Sequence, residues 1–379
     1  MKILQIVQIH WYNAEVQYCY DLSEGLIALG HEVHILTRKD SLSAAKAVER
    51  GFKVFEEDGF NGKGLAAFGA FAATGRLLEL LKRERYDIVE VHRSEGLFLI
   101  GWACRRAGVP VVRVRGEMRP VKANFANRYV YRRLVDGVIA TNSTIFKGLG
   151  ERVGGMDNLA TIHGGVDEKE FSPRGEPSDL RKSLGFTAGD FLVGIVGRLS
   201  PVKGHAHFIE AAKRALKEND RLGFVILAKS FSAKPEELER LKSLLGDNNP
   251  LHLERIRFVD HRADLPGTLR EFDLGAVTSV GSEANCRVGL EWMASGKPLV
   301  ATTIGVLPDI VEEGVTGLLI PPGDPKALSN CFLSLARNRE KTRLMGERAR
   351  SRIKERFTVE KLASAHERFL SDILSSGAH

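Results

Sequence analysis

The chain has 379 residues, a length that predicts two to three domains rather than one. Hydrophobic residues make up 43% and charged residues 27%, proportions of a globular protein that argue against disorder and collagen-like repeats. The net charge is +7 and the four cysteines contain no C-x-x-C pair, so we expect neither a zinc site nor a disulfide framework, and a reducing, cytoplasmic setting.

The first predicted element is a strand, Lys2–Ile9, although the chain begins with one positive charge and a short apolar stretch. A signal peptide would need a longer apolar core and a small-residue cleavage site, whereas His10, Asn13 and Glu15 follow here. The longest weakly polar stretch, Gly64–Gly75, is far shorter than the ~20 residues needed to cross a bilayer. We therefore expect no membrane-spanning segment.

Short apolar runs alternate with longer amphipathic ones along the first half, which is the pattern of βαβ units and a parallel sheet covered on both faces. The predicted helices are Glu15–Leu29, which Gly30 ends, and Leu65–Arg85, which has a basic last turn. The further predicted strands are His31–Thr37, Ile88–Val91, Pro110–Val114 and Gly137–Ala140. Residues 1–165 are therefore predicted to form one doubly wound, Rossmann-like α/β domain.

Positive charge is concentrated between Gly101 and Gly150. This block holds ten basic residues against Glu117 and Asp136, a balance of 10 − 2 = +8, so the rest of the chain is close to neutral. Its basic residues are Arg105, Arg106, Arg113, Arg115, Arg119, Lys122, Arg128, Arg132, Arg133 and Lys147. Such a field concentrates phosphates, anionic lipid headgroups or nucleic acid. A solvated basic face without a ligand is the open alternative.

The same rhythm restarts after a turn-rich stretch, Gly164–Asp167 and Ser172–Pro177, which suits a linker. The predicted strands are Phe191–Val196, Phe224–Ala228, Ile256–Val259, Leu274–Val277, Pro298–Thr302 and Gly317–Ile320. We predict a second Rossmann-like domain over residues 170–357 and a long C-terminal helix over Phe357–Ser376. Two facing doubly wound domains would form a cleft at the carboxyl ends of their strands, where such sheets bind ligands.

A strand followed by a glycine and two cations is the first motif with chemical content. Gly197 ends the strand Phe191–Val196, and Arg198 and Lys203 project from the loop that runs to Gly204. Arginine as a planar fork and lysine as a point charge suit a diphosphate. Taken alone, this spacing has low specificity.

The second motif follows the strand Leu274–Val277 and contains two carboxylates. Glu283 and Glu291 are eight residues apart, about 12 Å if both were helical. They would therefore contact different ends of a bound molecule, Glu283 from a loop at a sugar and Glu291 from a helix at a ribose. The first turn of that helix would offer backbone N–H groups to an anion; these belong to Asn285, Cys286 and Arg287. The alternative is an ordinary helix residue at Glu291 and a plain N-terminal acid at Glu283.

These segments resemble the retaining, nucleotide-sugar-dependent glycosyltransferases of the GT-B fold, family four. Residues 283–302 and 308–324 are similar to the family's signature, Gly197–Gly204 to its phosphate-binding segment, and Thr161–Pro173 to its interdomain linker. The matches run in order from about residue 135 to 358, and together they are highly specific. The resemblance implies two Rossmann-like domains facing across a cleft, with a C-terminal segment, 358–379, that returns to the first domain.

The resemblance also implies roles for individual residues. Arg198 and Lys203 would bind the donor diphosphate, and Glu283 would bind the hydroxyls of the transferring sugar. The implied catalytic residues are thus Glu283, Arg198 and Lys203. The base would lie near His261 and Arg262, and the ribose at Glu291. The implied donor-binding residues are Gly197, Arg198, Lys203, His261, Arg262, Glu283, Asn285, Cys286, Arg287 and Glu291.

The chemistry follows from the charge that develops on the leaving group. Breaking the bond to a nucleoside diphosphate leaves negative charge on the pyrophosphate, which cations and helix N–H groups stabilise. The resemblance implies a same-face transfer in which a donor phosphate oxygen helps to deprotonate the acceptor. No Asp-x-Asp occurs in the sequence, so we expect metal-independent activity, and no cofactor beyond the donor substrate.

The first strand–helix loop departs from the family, which usually has a glycine pair there. Here the loop contains His10, Tyr12 and Asn13. Asn13 tolerates left-handed backbone angles, whereas Tyr12 does not allow the same close backbone approach. We predict that these three residues line an acceptor pocket, and the alternative is that the aromatic side chains belong to the rim or the core.

A second departure is an arginine where relatives often place a histidine. Arg115 follows the strand Pro110–Val114 and stays protonated, so it cannot act as a general base. We predict that Arg115 and Arg119 bind a phosphate or carboxylate of the acceptor. His92, at the end of Ile88–Val91, is predicted to face the cleft as a further acceptor contact, and a structural histidine is the alternative.

The predicted function is transfer of a sugar from a nucleoside-diphosphate sugar to a saccharide or lipid-linked acceptor, in cell-envelope or lipopolysaccharide biosynthesis. A nucleotide-sugar epimerase and a non-catalytic sugar-nucleotide-binding module are the alternatives. The expected partners are a nucleotide-sugar and an anionic acceptor, with salt-sensitive peripheral contact to the inner face of the membrane through the basic block. No nucleic acid is expected, because no recognition motif accompanies the charge.

Overall fold

The computed structural model describes residues 1–61, 67–154, 156–228, 235–246, 249–260 and 264–377. It divides into two compact units. Unit 1 comprises Met1–Gly165 with Val359–His379, and unit 2 comprises Val166–Thr358. Each unit is built around its own parallel sheet and its own core.

Unit 1 contains seven strands in one parallel sheet. The strands are β1 Lys2–Val7, β2 Glu32–Thr37, β3 Lys53–Glu56, β4 Ile88–Val91, β5 Val111–Arg115, β6 Gly137–Ala140 and β7 Leu159–Thr161. Their order across the sheet is β3-β2-β1-β4-β5-β6-β7. The helices are α1 Ala14–Ala28, α2 Leu42–Glu49, α3 Ala67–Glu84, α4 Leu97–Ala107, α5 Phe125–Tyr129 and α6 Ser143–Val153. A π-helical turn over Val130–Leu134 continues α5, and a 3₁₀ turn spans Gly59–Asn61.

Unit 2 repeats this winding with six parallel strands. The helices are α7 Leu180–Ser183, α8 His205–Leu216, α9 Pro235–Ser243, α10 Pro250–Arg255, α11 Leu265–Arg270, α12 Arg287–Ala294, α13 Leu307–Ile310, α14 Pro325–Arg337 and α15 Arg339–Arg356. The strands are β8 Phe191–Val196, β9 Leu222–Ala228, β10 Ile256–Asp260, β11 Leu274–Val277, β12 Leu299–Thr302 and β13 Gly317–Ile320. Their order is β10-β9-β8-β11-β12-β13, so β8 and β11 flank the point where the winding reverses, and a doubly wound sheet binds its ligand at that point.

The doubly wound α/β fold predicted from the sequence is confirmed in both units. Every predicted strand is present, with ends that differ by at most two residues. The prediction missed β3 and β7, the two edge strands of unit 1. β3 has four residues with exposed ends and β7 has only three residues, so neither forms the continuous apolar run that marks a buried strand.

The last helix, α16 over Val359–Ser375, belongs to unit 1 although unit 2 precedes it in the chain. Its residues Leu362, Ala363, Leu370 and Ile373 are buried in the core that contains β1 and α1. Gly25 of α1 gives the helix room, because a Cβ there would lie 2.7 Å from the Cβ of Ala363. The sequence therefore builds unit 1 from both ends of the chain.

A chain of buried polar side chains fastens α16 to the sheet. His366 Nδ1 donates to Glu90 Oε1 at 2.8 Å, and His366 Nε2 lies 2.8 Å from the hydroxyl of Tyr18. Gln5 Nε2 donates to the other oxygen of Glu90, and His92 Nε2 lies 2.6 Å from Gln5 Oε1. Burial, the largest single effect, raises the pKa of the Glu90 carboxyl, but His366, His92 and the hydrogen bond from Gln5 together hold that pKa below its ordinary value.

The chain enters and leaves unit 2 at paired positions. The N–H of Val166 donates to the carbonyl of Phe357 at 2.9 Å, and Val166 forms a parallel bridge with Thr358. Unit 2 is therefore a continuous segment whose two ends lie side by side.

Candidate functional site

The loop after β8 is shaped by a glycine that no other residue can replace without a clash. Pro201–Lys203 forms one 3₁₀ turn, and Gly204 then has a φ of +71°. A Cβ at Gly204 would lie 1.9 Å from the carbonyl oxygen of Thr278. The loop thus packs directly against the segment that follows β11, and glycine is required both for its backbone angle and for this close approach.

Hydrogen bonds join the two loops at this point. The hydroxyl of Thr278 donates to the carbonyl oxygens of Lys203 and Gly204, at 2.9 and 3.1 Å. The N–H of Val280 donates to the carbonyl of Val202 at 2.8 Å. Since β8 and β11 are neighbours in the sheet, these contacts hold both loops at the carboxyl edge of the sheet.

Lys203 and Glu283 form an ion pair inside this site. The Lys203 ammonium donates to Glu283 Oε1, and the hydroxyl of Ser279 donates to the same oxygen. Glu283 is buried and Lys203 is about a quarter exposed. The backbone of Glu283 is fixed as well, because its carbonyl accepts from the N–H of Val306 at 2.9 Å. The structure therefore brings together two residues that lie far apart in the sequence and were both predicted for the donor site.

Arg198 is the second predicted cation of this loop. Its side chain is exposed, and among the residues that the structure describes its guanidinium contacts no hydrogen-bond or ion-pair partner. Gly197 before it has open space where a Cβ would be. The two cations therefore differ, because Lys203 is held by Glu283 whereas the Arg198 fork is available to a ligand.

The segment around Cys286 differs from the sequence prediction. The helix α12 begins at Arg287 and not at Asn285, because Cys286 adopts a left-handed conformation with a φ of 31° and acts as the N-cap. The N–H groups predicted at Asn285 and Cys286 thus precede the first turn of the helix. Burial raises the pKa of the Cys286 thiol well above its ordinary value, so the thiol stays neutral.

Two further predicted donor residues lie on this segment. Asn285 Oδ1 is buried and makes no hydrogen bond to any of the described residues, so it can accept from a ligand. Glu291 lies inside α12 and is buried, and Arg287 Nε contacts its Oε1 at 2.6 Å. As predicted, Glu283 lies in a loop and Glu291 in a helix. His261 and Arg262, predicted near the base, lie outside the described residues.

The predicted acceptor residues of the first loop divide into two groups. His10 is exposed and packs edge-on against Trp11 at 4.9 Å. Tyr12 instead turns toward the protein, where its hydroxyl donates to Gln17. Asn13 has an extended backbone with a φ of −132° and caps α1, accepting from the N–H of Glu15 and Val16 at 3.0 Å. Asn13 does not use the left-handed angles that it could tolerate; its side chain caps the helix.

The remaining predicted acceptor residues are His92, Arg115 and Arg119. His92 is buried, and its Nε2 is engaged by Gln5, which is the arrangement of a structural histidine. Burial lowers the pKa of His92 to about 3, so the ring is neutral. Arg115 is also buried, whereas the side chain of Arg119 is exposed.

Arg115 is held by its own protein. Its guanidinium contacts Glu117 Oε2 at 3.3 Å and the hydroxyl of Tyr131 at 3.5 Å, and donates to the carbonyl of Arg119. Glu117 is shared with Arg113 through a second ion pair. Arg115 was predicted to bind the acceptor. In the structure its guanidinium instead positions the segment that carries Arg119.

Sequence reasoning missed the residues that arrange this site. Ser279 and Thr278 follow β11 directly, and a hydroxyl at the carboxyl end of a central parallel strand was the available signal. Glu117 had been counted only as one of two acids in the basic block.

Among the described residues no group of three or more His, Cys, Asp or Glu side chains could hold a metal ion. None of the described helices is long and apolar enough to cross a membrane.

Two family descriptions match the chain. "Glycosyltransferase Family 4" matches residues 16–170, and "Glycosyl transferases group 1" matches residues 190–338. The first match covers most of the amino-terminal part of unit 1, and the second covers the segment that carries Arg198, Lys203, Glu283 and Glu291.

Curated relatives and solved structures agree with these matches. A D-inositol 3-phosphate glycosyltransferase of Corynebacterium glutamicum (strain R) is 30% identical over 75% of this chain and 71% of its own length. An N-acetyl-alpha-D-glucosaminyl L-malate synthase of Bacillus anthracis is 23% identical over 93% and 92%. The crystal structure of Anabaena HepE in complex with UDP has a TM-score of 0.84 at 24% identity, covering 98% of this chain and all of that chain. The last comparison shows that the fold is GT-B.

Proposed function

The chain belongs to the group 1 glycosyltransferases, and from that premise we propose that it moves a sugar from a nucleoside-diphosphate sugar to an anionic saccharide or lipid-linked acceptor, with retention of anomeric configuration. One observation carries the donor half of the proposal. Two loops that are distant in sequence meet at the carboxyl ends of β8 and β11, where Lys203 contacts Glu283, and Arg198 lies on the same loop as Lys203.

The diphosphate is the group that this site suits best. Arg198 offers a free planar fork, and Lys203 offers an ammonium with three N–H donors, of which Glu283 takes one. A phosphate oxygen can therefore bind Lys203 while the ion pair to Glu283 persists. Because negative charge grows on the diphosphate as the glycosidic bond breaks, cations held in place before the reaction stabilise the transition state more than the bound donor.

Glu283 is proposed to orient the transferring sugar. Its carboxylate accepts hydrogen bonds, and Ser279 and Lys203 fix Oε1 so that the group points in one direction. An acceptor hydroxyl would attack on the face from which the diphosphate departs, and a donor phosphate oxygen would take its proton. The side chains then have to bind and orient the donor and the acceptor, and none has to form a covalent bond with the sugar.

The nucleoside is proposed to lie along α12. Glu291 would bind the ribose hydroxyls, and Arg287 at 2.6 Å would orient that buried carboxylate. UDP is the first nucleotide to test, because the related HepE structure was determined with UDP. His261 and Arg262 remain the predicted contacts of the base.

The acceptor is proposed to carry a phosphate or a carboxylate. Arg119 is exposed beside a cluster of further arginines, and two relatives carry an anionic molecule, D-inositol 3-phosphate or L-malate, in their names. A role in building the cell envelope or lipopolysaccharide is consistent with such an acceptor, as is peripheral contact with an anionic membrane surface through the basic block.

Catalysis is proposed to be independent of divalent metal. Arg198 and Lys203 supply the positive charge that a metal ion supplies in other glycosyltransferases. We expect sugar transfer to continue at the same rate in excess EDTA. Activity that EDTA abolishes and Mn²⁺ or Mg²⁺ restores would contradict this.

The decisive test of the proposed donor site neutralises both cations. The double variant Arg198→Gln, Lys203→Gln is expected to lose UDP affinity by about 100-fold or more, since each charge-assisted contact contributes about 1.5–3 kcal/mol. Lys217→Gln, an exposed lysine at the other end of α8, is the matched control and should bind UDP like the wild type. Titration calorimetry with UDP measures both.

The same variants distinguish transfer from the alternative activities. With a UDP-sugar and candidate acceptors, the wild type should release UDP and yield a sugar linked to a new acceptor, as seen by mass spectrometry. Wild-type transfer rates in the double variant would overturn the proposed role of the two cations. An epimerised donor without any linked product would overturn the transfer reaction.

A further inference from the structure

Unit 1 contains a groove of about 810 Å³ that the donor site does not use. One wall comprises the loop after β4 and the start of α4, and the other comprises the segment after β5 together with α5. We call it the aromatic–basic groove and define it by Phe98, Phe125, Tyr129, Arg115, Arg119 and Lys122. Its volume lies within the range of pockets that bind small organic molecules.

The groove presents three aromatic rings to solvent. Phe125 is 84% exposed, Phe98 is 51% exposed and Tyr129 is 44% exposed. Phe98 lies on α4, and Phe125 and Tyr129 are four residues apart on α5, so they share one face of that helix. A group of exposed aromatic side chains around one concave surface indicates a binding site for an apolar group.

Two free cations lie beside these rings. The side chains of Arg119 and Lys122 are exposed, and neither contacts an acidic partner among the described residues. The other arginines nearby are already paired: Arg115 with Glu117, and Arg93 with Glu15 at 3.0 Å. An anion in the groove therefore meets Arg119 and Lys122 as its available ligands.

The segment that carries the two cations is held in place. The carbonyl of Arg119 accepts from the Arg115 guanidinium, and the carbonyl of Lys122 accepts from Asn127 Nδ2 at 2.8 Å. Asn124 caps α5 by accepting from the N–H of Asn127 at 2.9 Å. The charged and the aromatic parts are thus fixed relative to each other within one unit.

We infer that the aromatic–basic groove binds an acceptor whose phosphate is attached to an apolar chain, with the phosphate on Arg119 and Lys122 and the chain along Phe98, Phe125 and Tyr129. This rests on the proposed function and narrows it to a lipid-linked acceptor. A water-soluble phosphate would use the two cations and leave the rings exposed, and a neutral amphiphile would use the rings and leave the cations unpaired. Only an anionic amphiphile uses both parts.

Three small probes separate these cases when they are titrated into the full-length protein below their micelle-forming concentrations. Octyl phosphate has both the charge and the chain, methyl phosphate has the charge alone, and octyl glucoside has the chain alone. We expect octyl phosphate to bind about tenfold or more tightly than either of the others, because each buried CH₂ and each charge-assisted contact adds affinity. Titration calorimetry gives the three affinities.

Paired variants assign the binding to the groove. Phe98→Ala with Phe125→Ala should reduce octyl phosphate affinity to that of methyl phosphate, whereas Phe71→Ala, a ring that is 70% exposed on α3, should leave it unchanged. Arg119→Gln with Lys122→Gln should reduce it to that of octyl glucoside. Lys147→Gln with Arg152→Gln, two exposed basic residues of α6, is the control for net charge.

Each alternative result overturns the inference. Equal affinity for octyl phosphate and methyl phosphate would show that the site binds a free phosphate. Equal affinity for octyl phosphate and octyl glucoside would show that the phosphate charge does not contribute to binding. Groove variants that bind octyl phosphate like the wild type would place the ligand elsewhere. UDP titration of the same variants distinguishes the two proposals. If only the groove proposal is wrong, UDP binding is unaffected, and if only the donor-site proposal is wrong, octyl phosphate binding is unaffected.

Discussion

Gly204 shows how much of the donor site depends on a missing side chain. Its backbone is left-handed, and the carbonyl of Thr278 occupies the position that a Cβ would need. A larger residue has to push the loop after β8 away from the segment after β11. The separation of Lys203 from Glu283 would change with it, since each lies on one of these two segments.

We predict that Gly204→Ala weakens UDP binding about tenfold or more and lowers the free energy of unfolding by about 2 kcal/mol, from the strained backbone and the clash together. Gly246→Ala is the matched control, because Gly246 also has a positive φ, +81°, but no atom of the residues that the structure describes within 4 Å of its Cβ position. The control should lose about 1 kcal/mol of stability and no UDP affinity. Equal UDP affinities in the two variants would show that the close approach does not shape the site.

His205, which follows this glycine, makes unit 2 sensitive to acid. Burial, with a contribution from the charge of Lys203, lowers the pKa of His205 to about 4 from an ordinary value of 6.5. Between these values the unfolded chain binds a proton that the folded protein does not, so stability falls as the pH falls through this range. The loss begins near pH 6.5 and levels off below pH 4.

Between pH 7 and pH 5 the wild type loses unfolding free energy. We predict that the loss is about 2 kcal/mol smaller in His205→Gln. His207→Gln, which changes a half-buried histidine on the same helix, serves as the control. Denaturant titrations at several pH values measure the slopes. The same pH dependence in His205→Gln and the wild type would contradict the prediction.

Single residues also show what the sequence can and cannot predict about the site. Arg198, Lys203, Glu283 and Glu291 are proposed as donor contacts mainly from the resemblance, because their local spacing alone has low specificity. The contact of Lys203 with Glu283 could not be predicted, since it depends on how two loops meet in the folded sheet. The start of α12 was predicted too early, because nothing in the local sequence signals a left-handed cysteine at its N-cap.

The helix α16 is fastened to unit 1 by a buried hydrogen bond between His366 and Glu90 as well as by apolar packing. Glu90 and His366 are both fully buried, and removing His366 takes a hydrogen-bond donor from the Glu90 carboxylate, which then keeps the one from Gln5. Acid weakens this contact too, because a carboxyl whose pKa is lowered in the folded state contributes stability that is lost as the pH falls through that pKa.

We predict that His366→Ala costs about 3–5 kcal/mol of unfolding free energy, because it removes the partner of Oε1 from a fully buried carboxylate. The neighbouring variant Glu367→Ala removes a half-exposed pair with His31 and should cost less than about 1 kcal/mol. Adding Glu90→Gln to His366→Ala should restore part of the loss. Similar values for the first two variants would show that the buried pair contributes no more than a surface pair.

Secondary structure was predictable where apolar runs are long, as in β1, β8 and α16. It was not predictable at the sheet edge, where the exposure of β3 and the length of β7 leave too few buried positions to form a pattern. The π-helical turn over Val130–Leu134 carries no sequence signal that we recognise. Family and fold class could be predicted because several motifs occur in the order expected for one family. A single motif would not have been specific enough.

The two units differ in how the chain builds them. Unit 2 is one continuous segment with its own core and with its ends paired at Val166 and Thr358. The predicted donor residues that the structure describes all lie within this segment. Unit 1 combines an amino-terminal segment with α16, so it is incomplete without the end of the chain.

We predict that the isolated fragment 166–358 folds and binds UDP with the affinity of the full-length protein, as measured by circular dichroism and calorimetry. The fragment 1–165 should not fold, because it lacks Leu362, Leu370 and Ile373 from its core and His366 beside Glu90. Adding residues 359–379 to it through a short flexible linker should restore folding. An unfolded 166–358 fragment would contradict the prediction.

The origin of α16 from the far end of the chain sets the order in which the protein is completed during translation. A ribosome delivers residues from Met1 onward, yet the amino-terminal half cannot close its core until the final helix has emerged, while the middle segment is already whole at Thr358. Domains usually mature from the amino terminus, and this polypeptide reverses that sequence. The nascent amino-terminal half therefore keeps the apolar surface beside Gly25 and Gly137 uncovered until α16 has been synthesised.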